Sequence, residues 1–142
     1  MTRRTVDDLL AEARVRIRRY EPAEALAAQH AGALLVDTRA SDERERDGIV
    51  PGSLHVPRTV LEWRLDPASP FRSPYAAELD REVILLCAHG FSSSLAAATL
   101  VDLGFERAGD LAGGFEAWRA AGLPVVPAPP VPDGTPGSGP PA

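Results

Sequence analysis

The 142-residue chain has one cysteine, Cys87, one methionine and only 6% aromatic residues. A single thiol cannot close an internal disulfide and has no resolving partner in the chain, which argues against a disulfide scaffold and a dithiol redox sensor and suits a reducing cytosol. Long apolar runs are also missing. The longest fall far short of the roughly 20 residues that span a bilayer, and Met1-Thr2-Arg3-Arg4 runs straight into Thr5-Val6-Asp7-Asp8 rather than into the apolar segment of a signal peptide. The expectation is a cytoplasmic chain with no membrane partner. Positive charge is not in excess either: 15 basic residues face 20 acidic ones, and the net charge of -5 disfavours nucleic acid as a partner.

What is present is 44% apolar residues, enough to bury the core of one domain of this length. Val6, Leu9, Leu10, Ala13 and Ile17 recur at helical spacing and predict an N-terminal helix within residues 1–19. The arginines at 14, 16, 18 and 19 then fall mostly on its solvated face and C-terminal end. Residues 23–31 read as a short helix closed by Gly32, 34–36 as a buried strand, and 41–47 as an exposed helical segment ended by Gly48. A strand over 53–56, a helical segment over 60–65 and a proline-marked connection over 71–80 lead to a central strand at 83–86. A helix over 93–103, a strand over 107–111 and a last helix over 115–121 complete the domain, which occupies 20–126. Residues 127–142 are almost all Pro, Gly, Ala and Ser and read as a disordered tail. Short apolar strands alternating with helices imply an α/β domain of three layers, α/β/α, around a short parallel sheet.

The apolar strand at 83–86 gives way to Cys87-Ala88-His89-Gly90-Phe91-Ser92-Ser93 and then to an alanine-rich helix. A helix start carries unpaired N–H groups and about half a positive charge, which favours a thiolate over a thiol. Gly90 allows the left-handed bend such a loop needs, and Ser92, Ser93 and Ser94 supply capping hydroxyls. Amides from Ala88 to Ser93 can then converge on one sulfur as an anion-binding nest. The alternative for Cys87 is a small buried hydrophobe at the end of a strand.

Cys-x-His-Gly-x-Ser-Ser at 87–93, followed by Gly113-Gly114-Phe115-Glu116-Ala117-Trp118, resembles the single-domain bacterial rhodaneses, the thiosulfate sulfurtransferases. Leu35-Val36-Asp37-Thr38-Arg39 and Gly48-Ile49-Val50-Pro51-Gly52 resemble that family's upstream segments, with Val50 as an insertion. Ser92 stands where many rhodaneses carry Arg, a departure shared by a thiosulfate-using subgroup whose loop ends in Ser-Ser. The resemblance implies a rhodanese-like fold and a sulfurtransferase that passes a sulfane sulfur from thiosulfate or a similar donor to a thiophilic acceptor, a protein acceptor included. Cys87 would be the nucleophile and the persulfide carrier. No metal or organic cofactor is called for.

Ligands of open parallel sheets bind beyond the C-terminal strand ends, so 37–39 and Cys87 should face one crevice. Ala88, His89, Gly90, Phe91, Ser92 and Ser93 are the expected substrate-binding positions. Arg39 is the leading cation, either touching substrate or bracing the loop through Asp37; Arg44, Arg46, Arg58 and Arg64 are weaker candidates for the rim. Trp118 and Phe115 read as core, and Trp63 as a candidate for the crevice edge. Two other readings compete. One is a phosphatase or arsenate reductase, which needs Arg six positions after the cysteine, where this chain has Ser93. The other is a non-enzymatic sulfur-carrier or regulatory module.

Overall fold

A parallel sheet whose central strands are buried at every position needs cover on both faces, and its side chains alternate between the two. The computed structural model, which describes residues 2–130 and 139–142, is built this way. Strands β1 (Arg18–Tyr20), β2 (Leu34–Asp37), β3 (Leu54–His55), β4 (Val83–Leu86) and β5 (Ala108–Leu111) form one sheet in the order β1-β5-β4-β2-β3, all parallel. Leu34, Val36, Val83 and Leu85 point into one apolar cluster with Leu61, Ala97, Leu100 and Phe105. Leu35, Ile84 and Leu86 point into the other, with Tyr20, Ala25, Phe115 and Trp118. Each of these large side chains contributes about 1.5–3 kcal/mol by leaving water.

The helices are α1 (Val6–Arg14), α2 (Pro22–His30), α3 (Ser41–Asp47), α4 (Leu61–Leu65), α5 (Ser92–Asp102) and α6 (Gly114–Ala120), with a 3-10 turn at Arg58–Val60 leading into α4. Residues from α4 and α5 fill the first cluster and residues from α2 and α6 the second, so the three-layer expectation is met. Trp118 and Phe115 are core, as read from the sequence.

The N-terminal segment differs from its expectation. The helix ends at Arg14, and Arg18–Tyr20 is a strand on the sheet edge, paired with β5 from Arg18↔Gly109 to Tyr20↔Leu111. Helical spacing from Val6 through Ile17 hides the change of period: the strand runs from exposed Arg18 through half-buried Arg19 to Tyr20 at 2% exposure. The helix itself buries Ala13 rather than an apolar stripe, leaving Val6 and Leu9 exposed.

At the other end Val126 pairs antiparallel with Ile49. Of the tail expected to be disordered, residues 131–138 lie outside the described residues. Ala142 donates its N–H to the Ser53 carbonyl at 3.1 Å, and its own carbonyl accepts from Gly52, so this end of the tail is held against the turn before β3.

Candidate active site

Cys87 is the first residue past β4, and the loop that follows is shaped by where its carbonyls are tied. The Cys87 carbonyl accepts from the Phe115 N–H at 2.8 Å and the Ala88 carbonyl from the Glu116 N–H at 3.1 Å, both at the start of α6. The Gly90 carbonyl accepts from Nη2 of Arg14 and Nη2 of Arg19, each at 2.9 Å. A peptide is planar and trans, so its N–H points away from its carbonyl. Holding these three carbonyls on one side turns the N–H groups of Ala88, His89 and Phe91 to the other.

Glycine is required at two points of this arrangement. Gly90 has φ +84°, and a Cβ there would stand 2.7 Å from the Gly113 nitrogen; Gly114 has φ +64°, with its Cβ site 2.5 Å from the Cys87 carbonyl oxygen. Only glycine lets α6 come close enough to hold the loop from behind.

The sulfur is 7% exposed by residue and accepts from the Gly90 N–H at 3.2 Å, while the thiol faces the Ser93 hydroxyl at 3.3 Å. Burial pushes its pKa up, but the hydroxyls of Ser93 and Ser92 and the amides of Ser93 and Gly90 outweigh burial and leave it below the usual cysteine value. The start of α5 adds its dipole at the same place.

The predicted residues part company here. Cys87 opens on a cavity of about 280 Å³ walled by Thr38, Ala40 and Glu43 on one side and by Ala88, His89, Phe91 and Ser92 on the other. Segments 37–39 and 87–93 do meet across one crevice. His89 and Phe91 are at the rim, exposed, with Phe91 62% accessible. Ser92 is exposed at the first turn of α5, whereas Ser93 is buried. None of the serines caps α5 by side chain, contrary to expectation; the N-cap is Phe91.

Arg39 also lines the cavity, yet its guanidinium is 1% exposed and committed elsewhere. It grips Asp37 through Nε at 3.1 Å and Nη2 at 2.9 Å, donates to the Gly48 carbonyl at 2.8 Å, and lies 3.9 Å from the Phe115 ring centroid. These contacts brace the Asp37 segment, and Nη1 of Arg39 is buried without a hydrogen-bond partner among the described residues. Arg44 shares Asp37, Arg46 pairs with Asp47, Arg58 with Glu62, and Arg64 donates to the Phe71 carbonyl. Trp63 is exposed and apart from the residues that wall the cavity.

Sequence reasoning missed Asp110, Arg14 and Arg19. Asp110 is fully buried on β5, pairs with Arg19 at 3.0 Å, and accepts from the hydroxyls of Ser93 at 2.8 Å and Ser94 at 2.7 Å. Its signal was visible, an acid inside the strand Ala-Gly-Asp-Leu. The two arginines gave none, because an arginine cluster on an apparent helix looks solvated until β1 is seen to carry Arg19 beneath the loop.

Among the described residues, no group of three or more His, Cys, Asp or Glu side chains could hold a metal ion, and no helix is long and apolar enough to cross a membrane. A family model, the rhodanese-like domain, matches residues 21–121. A thiosulfate sulfurtransferase GlpE of Stutzerimonas stutzeri is 40% identical over 102 residues, covering 72% of this chain and 84% of its own length. The GlpE of Vibrio cholerae is 51% identical over 75 residues, covering 53% and 71%. Among solved structures, a Rhodopseudomonas palustris protein of unknown function, described as a possible tyrosine phosphatase, superposes with a TM-score of 0.80 at 38% identity over 89% of this chain and 97% of its own. The human single-domain sulfurtransferase TSTD1 gives a TM-score of 0.62 at 27% identity, covering 72% and 95%.

Proposed function

This chain belongs to the rhodanese-like domain family, and we propose on that premise that it is a thiosulfate sulfurtransferase working through a persulfide on Cys87. The thiolate attacks the outer sulfur of thiosulfate. A Cys87–sulfur bond forms, the sulfur–sulfur bond of the donor breaks, and sulfite leaves with the bonding pair. A thiophilic acceptor, small molecule or protein thiol, then attacks the outer sulfur of the persulfide and returns Cys87 as thiolate, a two-step exchange through one covalent intermediate.

The observation that carries this reading is a sulfur on the wall of an open cavity that accepts from the Gly90 N–H and has the Ser93 amide beside it, in a loop whose carbonyls are tied back. Such donors are fixed before charge arrives and cost little reorganisation when it does. They matter more here because Arg39 is spent on Asp37 and the cavity wall includes Glu43. The peptide groups of Ala88, His89, Gly90, Phe91 and Ser93 and the hydroxyl of Ser92 therefore bind the donor and the persulfide. The cytoplasm, where an unpaired thiol stays reduced, is the compartment that suits this chemistry.

A phosphatase reading, which the Rhodopseudomonas neighbour's description raises, lacks its clamp: Ser93 occupies the sixth position after the cysteine, and Arg14 and Arg19 grip the loop by the Gly90 carbonyl. Mass spectrometry after incubation with thiosulfate should find one added sulfur atom on the wild-type protein and none on Cys87→Ser, and thiocyanate should form when cyanide is the acceptor. An unmodified wild-type protein that hydrolyses a phosphate ester would overturn the proposal.

A further inference from the structure

Ser93 has one hydroxyl proton and two groups placed to receive it. Its Oγ lies 2.8 Å from Oδ2 of Asp110 and 3.3 Å from Sγ of Cys87. A carboxylate only accepts, so the shorter contact draws the Ser93 proton to Asp110, and the Cys87 thiol donates to the lone pair that remains. Asp110 is held for this task on all sides. Ser94 Oγ donates to the same Oδ2 at 2.7 Å, and Arg19 donates from Nε to Oδ1 at 3.0 Å and from Nη2 to Oδ2 at 3.3 Å. The charged and titratable groups around it are Arg19 from β1, Arg14 from α1, whose Nε meets Ser94 Oγ at 3.1 Å, and Cys87 itself beyond β4.

We propose that Asp110 is a positioning residue that sets the charge state of Cys87 through the Ser93 hydroxyl. While Cys87 is a thiol, Ser93 gives its proton to Asp110. When the thiol proton leaves to water in the open cavity, the Ser93 O–H turns from Oδ2 to the sulfur anion, and Asp110 keeps Ser94 and Arg19 as donors. One hydroxyl proton thus alternates between a carboxylate and a sulfur. The carboxylate's hold on it decides how readily the nucleophile ionises, and replacing that carboxylate by a neutral group both releases the proton and leaves the Arg19 charge uncompensated beside the loop. The consequence for catalysis rests on Cys87 being the sulfur carrier; the proton exchange itself does not.

The test titrates the thiol directly. Because Cys87 is the only cysteine, the pH dependence of its alkylation by iodoacetamide reports this one site. Asp110→Asn keeps the side-chain shape, and its midpoint should fall by about one pH unit, a tenfold gain in thiolate at a fixed lower pH. Ser94→Ala removes a competing donor from Asp110, tightens its claim on Ser93, and should raise the midpoint. In a Ser93→Ala background the Ser94→Ala shift should vanish and the Asp110→Asn shift should shrink to the part caused by the uncompensated Arg19 charge, the non-additivity expected of residues that act through one another. Circular dichroism establishes that each variant is folded; if Asp110→Asn is not, the Ser94→Ala shift and its loss in Ser93→Ala carry the test. An unchanged or raised midpoint in folded Asp110→Asn, an unchanged or lowered midpoint in Ser94→Ala, a Ser94→Ala shift that survives Ser93→Ala, or an Asp110→Asn shift undiminished in Ser93→Ala, overturns the proposal. A wild-type protein that gains no sulfur from thiosulfate would sink the functional reading and leave these titrations standing.

Discussion

Cys87 ionises against its own burial, and the hydroxyls and amides around it decide the balance. His55 shows the opposite outcome at the same end of the sheet. It is half-buried on β3, where burial, with help from the charges of Arg44 and Arg39, holds its pKa below the usual histidine value, although its Nε2–H donates to the Arg39 carbonyl at 2.8 Å. The folded protein therefore keeps His55 neutral at pH values where the unfolded chain has begun to take up a proton. Stability from this group is complete above the unfolded value of about 6.5 and is lost as pH falls below it, at up to about 1.4 kcal/mol per pH unit until the folded pKa is passed. Urea unfolding from pH 8 to 5 should show this fall, and His55→Gln should flatten it; a slope unchanged by the substitution would assign the acid sensitivity to other groups.

At the scale of elements, the loop is made by two helix starts acting from opposite sides. The N-terminus of α5 faces the sulfur, and that of α6 takes the carbonyls of Cys87 and Ala88. Gly114→Ala puts a methyl 2.5 Å from the Cys87 carbonyl at φ +64°. It should cost about 1–3 kcal/mol in stability and, by turning the peptides, lower kcat/KM for thiosulfate by about tenfold to a hundredfold. Gly122 has a similar φ of +73° and no atom within 4 Å of its Cβ site, so Gly122→Ala should lower stability alone. Equal losses of activity in the two variants would refute the role given to α6. The edge strand β1 belongs to the same design, since it carries Arg19 beneath the loop to Asp110 and Gly90.

The whole molecule carries a net charge of -5 and is proposed to receive a dianion, so its long-range field works against its donor. Only groups within a few ångström, the amides and the dipole of α5, favour it. Raising ionic strength from about 0.01 to 0.15 M shortens the screening length from about 30 to 8 Å. The distant repulsion should fade while the local attraction stays, and kcat/KM for thiosulfate should rise a few-fold with kcat little changed. A fall with salt would point instead to a cationic patch that steers the donor.

Much of this was legible in the chain. Segments 34–36 and 83–86 are apolar throughout, and such runs between helices admit little besides a parallel sheet covered on both faces. The cysteine with its glycine and serines announced an anion-holding loop, because backbone geometry follows from residues adjacent in sequence. What linear order could not contain was which distant groups stand behind that loop. Arg14 and Arg19 lie 71 to 91 residues along the chain from their partners Ser94, Gly90 and Asp110, Asp110 lies 17 and 16 from Ser93 and Ser94, and Arg19 reaches Asp110 because β1 pairs with β5 at the sheet edge. That Gly48 and Phe115 would close around Arg39 was likewise not contained in linear order. Local periodicity and composition determined the architecture and set the one cysteine at a strand-to-helix turn; the packing of strands brought Arg19 and Asp110 together behind its loop, because residues so far apart in sequence meet only through the sheet.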